Sequence, residues 1–358
     1  MTGTAGGVTR EPLSAANRGE WGELAARTGA PSFLGPGYLD VWARHHPPGG
    51  AVDLLAARRD GRLVAALPVL RGVRTGPPGN RETPLQGLVA ESPGDAGRLA
   101  AALMRGPAPV VEFCCVARED PSHGVVSRAA AEARRTMIAA PAVTIPIVDT
   151  HGGWEAYWAG RSRNLRKNVG RVTRRAEERG DLAHQVIGDA RGERLDALLD
   201  EGFAVEGSGW KDREGTSLEA DRRLGAYYRD LARWAADAGE LRLFFIRLDG
   251  RAIAFGLCVL TAGGLYAFKI GYDEALAQLS PGVLLIHRMV RWTFEHGVDR
   301  FDFAGHDAPY KATWATGHLH QERLTAFSRA PRGRGALLAR RARSLAGAVV
   351  RRVRSRMR

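Results

Sequence analysis

AIAFGLCVL (residues 252–260), LYAFKIGYD (265–273) and LSPGVLLIHRMVRWTFEHG (279–297) decide how this chain folds. The first two are apolar runs separated by Gly263-Gly264 and preceded by LRLFFIRLD (241–249) with an Asp249-Gly250 pair. They read as a three-stranded antiparallel meander with hairpin turns. The meander leads through a loop into an apolar helix with Pro281 and Gly282 at its start. The first N–H groups of such a helix have no partner within it, and Pro suits that position. A terminus of this kind binds phosphate through those donors and the helix dipole. An ordinary Pro-Gly loop ahead of a core helix fits the same residues. RFDFAG (300–305) then predicts a buried strand, APYKATWAT (308–316) a short helix and HQERLTAF (320–327) a last strand.

A similar order runs upstream. VDLLAARRDGRLVAALPVLRG (52–72) reads as strand, Asp60-Gly61 turn and strand, after helical patterns at 21–27 and 37–45. Short strands LQGLVA (85–90), VVEFCCV (110–116) and AVTIPIVD (142–149) follow, with helices around 96–104 and 125–136. The second half opens with helices at 154–158 and 161–178, a strand LAHQVIG (182–188), and helices at 193–205 and 218–238. The matching order predicts a tandem duplication: a domain over 1–150, a second over 151–330 and a tail over 331–358. The fold class is α/β, of the α+β kind. Each domain is expected to hold a mixed, largely antiparallel sheet flanked by helices.

Composition narrows the function classes. The chain has 358 residues, 44% of them hydrophobic and 25% charged, as in soluble globular proteins. Its net charge of +13 is concentrated: residues 329–358 hold eleven arginines and no acid, and residues 161–175 hold seven basic residues and no acid. Outside these two blocks the chain is mildly acidic, so its basicity alone does not imply nucleic acid. In the tail, Leu337, Leu338, Leu345, Val349, Val350 and Val353 interleave with arginine at helical spacing. That predicts an amphipathic basic helix, suited to an anionic membrane surface more than to nucleic acid; a disordered basic tail is the alternative. Three cysteines, two of them adjacent in VVEFCCV, give neither a disulfide framework nor zinc spacing. With no signal peptide and no apolar run of about 18 residues, the expected location is the cytoplasm, peripheral to the membrane at most. No metal is expected.

Only four of the 52 basic residues are lysine, and all four lie in the distinctive segments of the second domain. The succession AIAFGLCVL, YAFKIGYDEALAQLSPGVLL and RFDFAGHDAPYK resembles the CelD/BcsL-like branch of the GNAT acyltransferase superfamily, with RNLRKNVGRVTRR (163–175) and EGSGWKDREGT (206–216) extending the likeness over about 150–328. Over 1–149 it rests on FLGPGYLDVWARHH (33–46) and the hairpin. The resemblance implies two tandem GNAT-like domains, the first degenerate and on the acceptor side. It also implies acyl-CoA, acetyl-CoA among others, held between two parting strands with its pyrophosphate on the following helix N-terminus. Gln278, Ser280, Gly282 and Val283 match the family's phosphate loop only loosely. Gly256, Leu257 and Cys258 are the expected segment whose backbone N–H polarises the thioester. The implied reaction is direct attack of an acceptor amine or hydroxyl on that thioester. Saccharides, glycolipids and envelope precursors of polysaccharide biosynthesis are the implied acceptors.

Such a reaction needs a base for the nucleophile and an acid for the leaving thiolate. Base candidates are Glu206, Asp302, His306 and Asp307. Glu206 ends a helix before a polar loop, where it either faces a cleft or pairs with Lys211 or Arg213. Asp302 sits between Phe301 and Phe303 on a buried strand and must be satisfied there, by Lys311, by an arginine or by substrate. His306 follows that strand, with an imidazole near neutrality. Tyr310 is the candidate acid. Asp307 can also bind substrate, as can Trp210, Lys211, Lys269 and Lys311. Lys269 is predicted to share a small-residue face with Ala267 and Gly271. Lys167 joins Arg163, Arg171 and Arg174 in a basic helical stripe, which is a substrate surface or a solvated face.

Two other readings use the same residues. An aminoacyl-tRNA-dependent transferase of the Fem type would turn the basic helix and tail toward RNA. A non-catalytic membrane or nucleic-acid adaptor would keep the fold without the reaction.

Overall fold

The computed structural model describes residues 7–208 and 221–356. In chain order they form β1 (Val8–Pro12), α1 (Ala15–Thr28), α2 (Pro36–His45), β2 (Val52–Arg59), β3 (Arg62–Leu70), β4 (Arg74–Thr75), β5 (Val89–Ala90), α3 (Pro93–Arg105), β6 (Val110–Ala117), α4 (Pro121–Glu132) and β7 (Thr136–Asp149). Then come α5 (Gly153–Ala159), α6 (Arg163–Glu177), β8 (Leu182–Ile187), α7 (Gly192–Gly207), α8 (Arg222–Asp237), β9 (Leu241–Leu248), β10 (Arg251–Thr261) and β11 (Gly264–Tyr272). The last are α9 (Pro281–Glu295), β12 (Arg300–Asp302), α10 (Pro309–Ala312), β13 (Gly317–Phe327) and α11 (Pro331–Arg356).

Two compact units emerge, neither contiguous: residues 1–36, 48–142 and 320–358 in one, residues 37–47 and 143–319 in the other. The first unit pairs β1, β2, β3 and β5 in one antiparallel sheet, and β6 between β4 and β13 in another. Asp60 and Gly61 take φ of 51° and 80° in its hairpin, the positive values that a two-residue primed turn demands. Helix α4 ends earlier than its apolar pattern suggests, because Arg134 turns to φ 54° and Thr136 already opens β7. LQGLVA supplies only Val89–Ala90 as strand.

The second unit carries the meander. Its strands run in the order β7, β12, β11, β10, β9, β8, antiparallel except for the parallel β11–β12 pair. Asp249-Gly250 turns as expected, whereas the second turn uses Ala262 and Gly263, one residue earlier than the Gly-Gly pair. One helix layer packs on each face of β10. On one face Met289 of α9 lies against Gly256, where a Cβ would come within 2.9 Å of its sulfur. On the other face Phe255 lies against Gly202 of α7, where a Cβ would meet the ring at 2.4 Å. These two glycines set the distance between helices and sheet.

Candidate active site

The parallel pairing of β11 with β12 covers only Gly264–Tyr266 against Arg300–Asp302. Beyond Tyr266, β11 continues to Tyr272 while β12 has ended, so the two strands part. Helix α9 begins just after β11, at Pro281. At this parting lies a cavity of about 1030 Å³, at the top of the roughly 300–1,000 Å³ range of small-molecule sites.

Four segments form its wall. From β11 come Ile270, Gly271 and Tyr272; from the loop and α9 come Glu274, Ala277, Ser280, Gly282, Val283 and Ile286. The start of α6 adds Ser162, Asn164, Leu165 and Asn168, and the segment after β12 adds Tyr310, Thr313 and Trp314. Glu206 of α7 completes the wall as a carboxylate only 2% exposed.

Glu206 reaches the site because residue 271 is glycine: a Cβ there would lie 2.6 Å from both Cα and Cβ of Glu206. Helix and strand backbones therefore touch where the carboxylate enters the cavity. Ser280 joins loop to helix in the left-handed region, φ 52°, and its own hydroxyl does not cap the α9 N-terminus. The loop is fixed from outside, by Arg175 donating to the Gln278 carbonyl at 2.9 Å and by Asp273 capping Ala275 N–H at 3.0 Å. Arg161 ties the start of α6 to the far wall by donating to the Trp314 and Ala315 carbonyls at 3.1 and 2.7 Å. The Asp273 N–H goes to Ile253 O at 3.0 Å on β10. By the alternation of an antiparallel pair, the Tyr272 N–H then points to the edge that β12 has left.

Other expected residues fall elsewhere. Gly256, Leu257 and Cys258 are buried mid-sheet, paired to β9 on one side and β11 on the other, so their amides are spent in ladders away from the cavity. The strand that precedes the loop is β11, and the open edge belongs to it. Asp302 is 2% exposed and lines no part of the cavity; it accepts the Ala304 N–H at 2.8 Å, and burial raises its carboxyl above the ordinary value.

Lys311 is 8% exposed and donates to three backbone carbonyls, Phe303 at 3.3 Å, Ala304 at 2.7 Å and His306 at 2.9 Å. Its ammonium is a clamp for the chain leaving β12, with its three donors used. His306 and Asp307 are exposed, outside the cavity wall, and Asp307 stands 3.8 Å from His318.

Lys269 sits with its ammonium 4.6 Å over the Tyr228 ring of α8. It shares a face with Gly271 but not with Ala267. The register slips at Leu257/Cys258, leaving Phe268 as an extra residue, and Ala267 pairs instead with Cys258, whose sulfur lies 3.7 Å from Met289 on the α9 side. Lys167, Arg163, Arg171 and Arg174 are exposed, opposite the buried Leu165, Val169 and Val172. The helix serves the site through Asn164, Leu165 and Asn168, the neutral residues of its first two turns. Trp210 and Lys211 lie outside the described residues.

Tyr310 and Glu206 therefore come together in one cavity with Ser280, Gly282 and Val283. Tyr310 is half exposed, and partial desolvation against the cavity wall raises its phenol above the ordinary value; it is protonated at neutral pH and able to donate. The sequence reading missed Tyr272, Asn164, Asn168, Glu274 and Trp314. Trp314 had a signal in its apolar surroundings: it belongs to an aromatic cluster with Trp158 and His287, where burial lowers the imidazole to about 4.

Residues 163–312 match the family model for the acetyltransferase (GNAT) domain. The match holds α6 through α10 and so the parting strands, the loop and the α9 N-terminus. No curated protein matches the chain in sequence. Among solved structures, FemX is similar at 12% identity and a TM-score of 0.59, over 88% of this chain and 96% of its own. L-PGS from Bacillus licheniformis gives 14% and 0.55, over 89% and 93%. A protein of unknown function from Bacteroides thetaiotaomicron gives 10% and 0.56, over 90% and 100%. These likenesses show the fold alone, α/β with a relation in fold to FemX, and the family match places the GNAT domain over residues 163–312. Among the described residues there is no group of three or more metal-ligating side chains and no helix long and apolar enough to cross a membrane.

Proposed function

We propose that the chain is an acyl-CoA-dependent N- or O-acyltransferase, with acetyl-CoA the first donor to test. The observation that carries this reading is the cavity at the parting of β11 and β12, bounded by the α9 N-terminus and by the buried Glu206. The residues fit the donor: the α9 N-terminus offers the Gly282 N–H and the positive end of its dipole to a pyrophosphate, and Ile270, Val283 and Ile286 give its arm an apolar wall.

In this reading the Tyr272 N–H polarises the thioester carbonyl. Glu206 takes the proton of the attacking amine or hydroxyl, and Tyr310 protonates the leaving thiolate. The acceptor is a saccharide, glycolipid or other envelope precursor, as the CelD/BcsL-like sequence features suggest. The basic α11 would hold the chain against an anionic inner membrane surface, in the cytoplasm. Free-thiol release from acetyl-CoA, measured across aminosugar, polyol and lipid-linked saccharide acceptors, tests the reading. It predicts acceptor-dependent release lost in Glu206→Gln; release unchanged in that variant removes Glu206 as the base.

A further inference from the structure

The adjacent thiols of the first unit are placed in a way a regular strand forbids. Successive side chains of a β-strand point to opposite faces, yet the sulfurs of Cys114 and Cys115 lie 3.0 Å apart. The register between β6 and β13 explains it. Phe113 pairs with Leu324 and Val116 with Glu322, so Cys114 and Cys115 together oppose the single residue Arg323. That is a two-against-one β-bulge, and it turns both sulfurs to one side.

The bulge is built in on its outer side by the Gly/Pro loop. Gln86, 4% exposed, accepts the Cys114 N–H at 2.6 Å, and its own N–H reaches the Cys115 carbonyl at 2.8 Å. Its amide nitrogen donates to the Pro77 and Pro78 carbonyls, at 3.0 Å each. A Cβ on Gly79 would approach the Cys114 sulfur to 2.9 Å, so the loop closes directly over it. Cys115 is buried, and Cys114 is partly exposed at the surface end of the pair.

We infer that Cys114 and Cys115 form a reversible oxidation site, in which a hydroperoxide converts the dithiol to a vicinal disulfide. Cys114 is the attacking sulfur: the hydrogen bond from Cys115, and then the Arg323 guanidinium, hold its thiol below the ordinary value, while Cys115 is held well above. The Cys114 thiolate attacks a peroxide oxygen, the O–O bond breaks, and the leaving oxygen takes a proton to become water or alcohol. The Cys114 sulfenic acid is then attacked by the Cys115 sulfur. An S–S bond forms, the S–O bond breaks, and the hydroxyl leaves as water with the Cys115 proton. Two thiols are oxidised and one peroxide is reduced. Neighbouring Cα atoms are about 3.8 Å apart, below the usual ~4.4–6.8 Å of a disulfide. The bond is therefore strained and readily reduced by a dithiol, which makes the site reversible.

The experiment uses the full chain. The reduced protein is treated with excess hydrogen peroxide, denatured and alkylated, and the tryptic peptide 106–118, which holds both residues, is weighed. All three cysteines of the reduced protein alkylate. After peroxide only Cys258 is expected to, and the 106–118 peptide loses two hydrogen masses, regained with dithiothreitol. In Cys115→Ser, and in Cys115→Ala as a check on packing, the loss disappears and dimedone labels Cys114. Cys114→Ser takes no dimedone at Cys115. Three alkylated cysteines after peroxide, oxygen addition without loss of hydrogen, or no dimedone adduct in either folded Cys115 variant would each overturn the proposal.

Discussion

Glu206 and Asp302 are both buried carboxylates, and their surroundings give them different work. Glu206 borders the cavity, so Glu206→Gln is expected to lower kcat by about 10²–10⁴ while thermal melting stays near wild type. Asp302 faces the interior, and burial holds its pKa above the ordinary 3.8. Between those two values the folded chain keeps a proton that the unfolded chain has lost, so stability falls as pH rises through that window. Asp302→Asn removes this dependence. In urea melts the change in stability from about pH 4 to pH 7 should be more favourable for the variant than for wild type, a smaller loss or a larger gain. An unshifted or less favourable change, or loss of turnover in a stable Asp302→Asn, would contradict the assignment. Lys311→Met strips three backbone carbonyls of their donor, one buried and two partly buried, and is expected to cost about 2–4 kcal/mol of stability in denaturant melts. A stable variant with a raised acceptor KM would return Lys311 to substrate binding. From sequence, the lysine positions marked the working domain, but the ring that Lys269 meets comes from a distant helix, and Lys311 reaches the carbonyls just before it only because the chain folds back after β12.

At the scale of elements, Gly271 governs how closely α7 approaches β11. Gly271→Ala places a methyl at 2.6 Å from the Glu206 backbone, so the helix must move rather than a rotamer. Overpacking of this kind costs about 1–3 kcal/mol, and here it also displaces the carboxylate. The variant should lose stability and turnover together, where Glu206→Gln loses turnover alone; a Gly271→Ala variant with wild-type rates would separate the backbone contact from the site. The meander, its Asp249-Gly250 turn and the Pro-Gly helix start were legible because each rests on local chemistry. The bulge at Phe268 was not, since a register slip is set by the partner strand. That slip moved Ala267 to the opposite face. The open edge of β11 was hidden for a related reason: both runs are apolar, and only pairing reveals which one has lost its neighbour.

For the whole molecule, the second unit's site is built from residues 162 to 314, so the GNAT-type order of elements decides function more than any single motif does. The site was half legible: Glu206, Tyr310 and the loop stood out by type and position, whereas the neutral wall from α6 lay hidden beneath a conspicuous basic stripe. Neutralising that stripe, with Arg163, Lys167, Arg171 and Arg174 changed to glutamine, should leave donor binding within about twofold, because these side chains face solvent. A tenfold weaker Kd by calorimetry would place them on the ligand.

The central claim is that acyl-CoA enters the parting of β11 and β12, and a thermal melt with acetyl-CoA tests it most directly. Ligand at a hundred times its Kd stabilises the folded state by about 2.7 kcal/mol, so the melting temperature should rise by several degrees, in wild type and in Glu206→Gln alike. No rise with any acyl-CoA at millimolar concentration, with a steeply salt-dependent rise on aminoacyl-tRNA instead, would contradict the account.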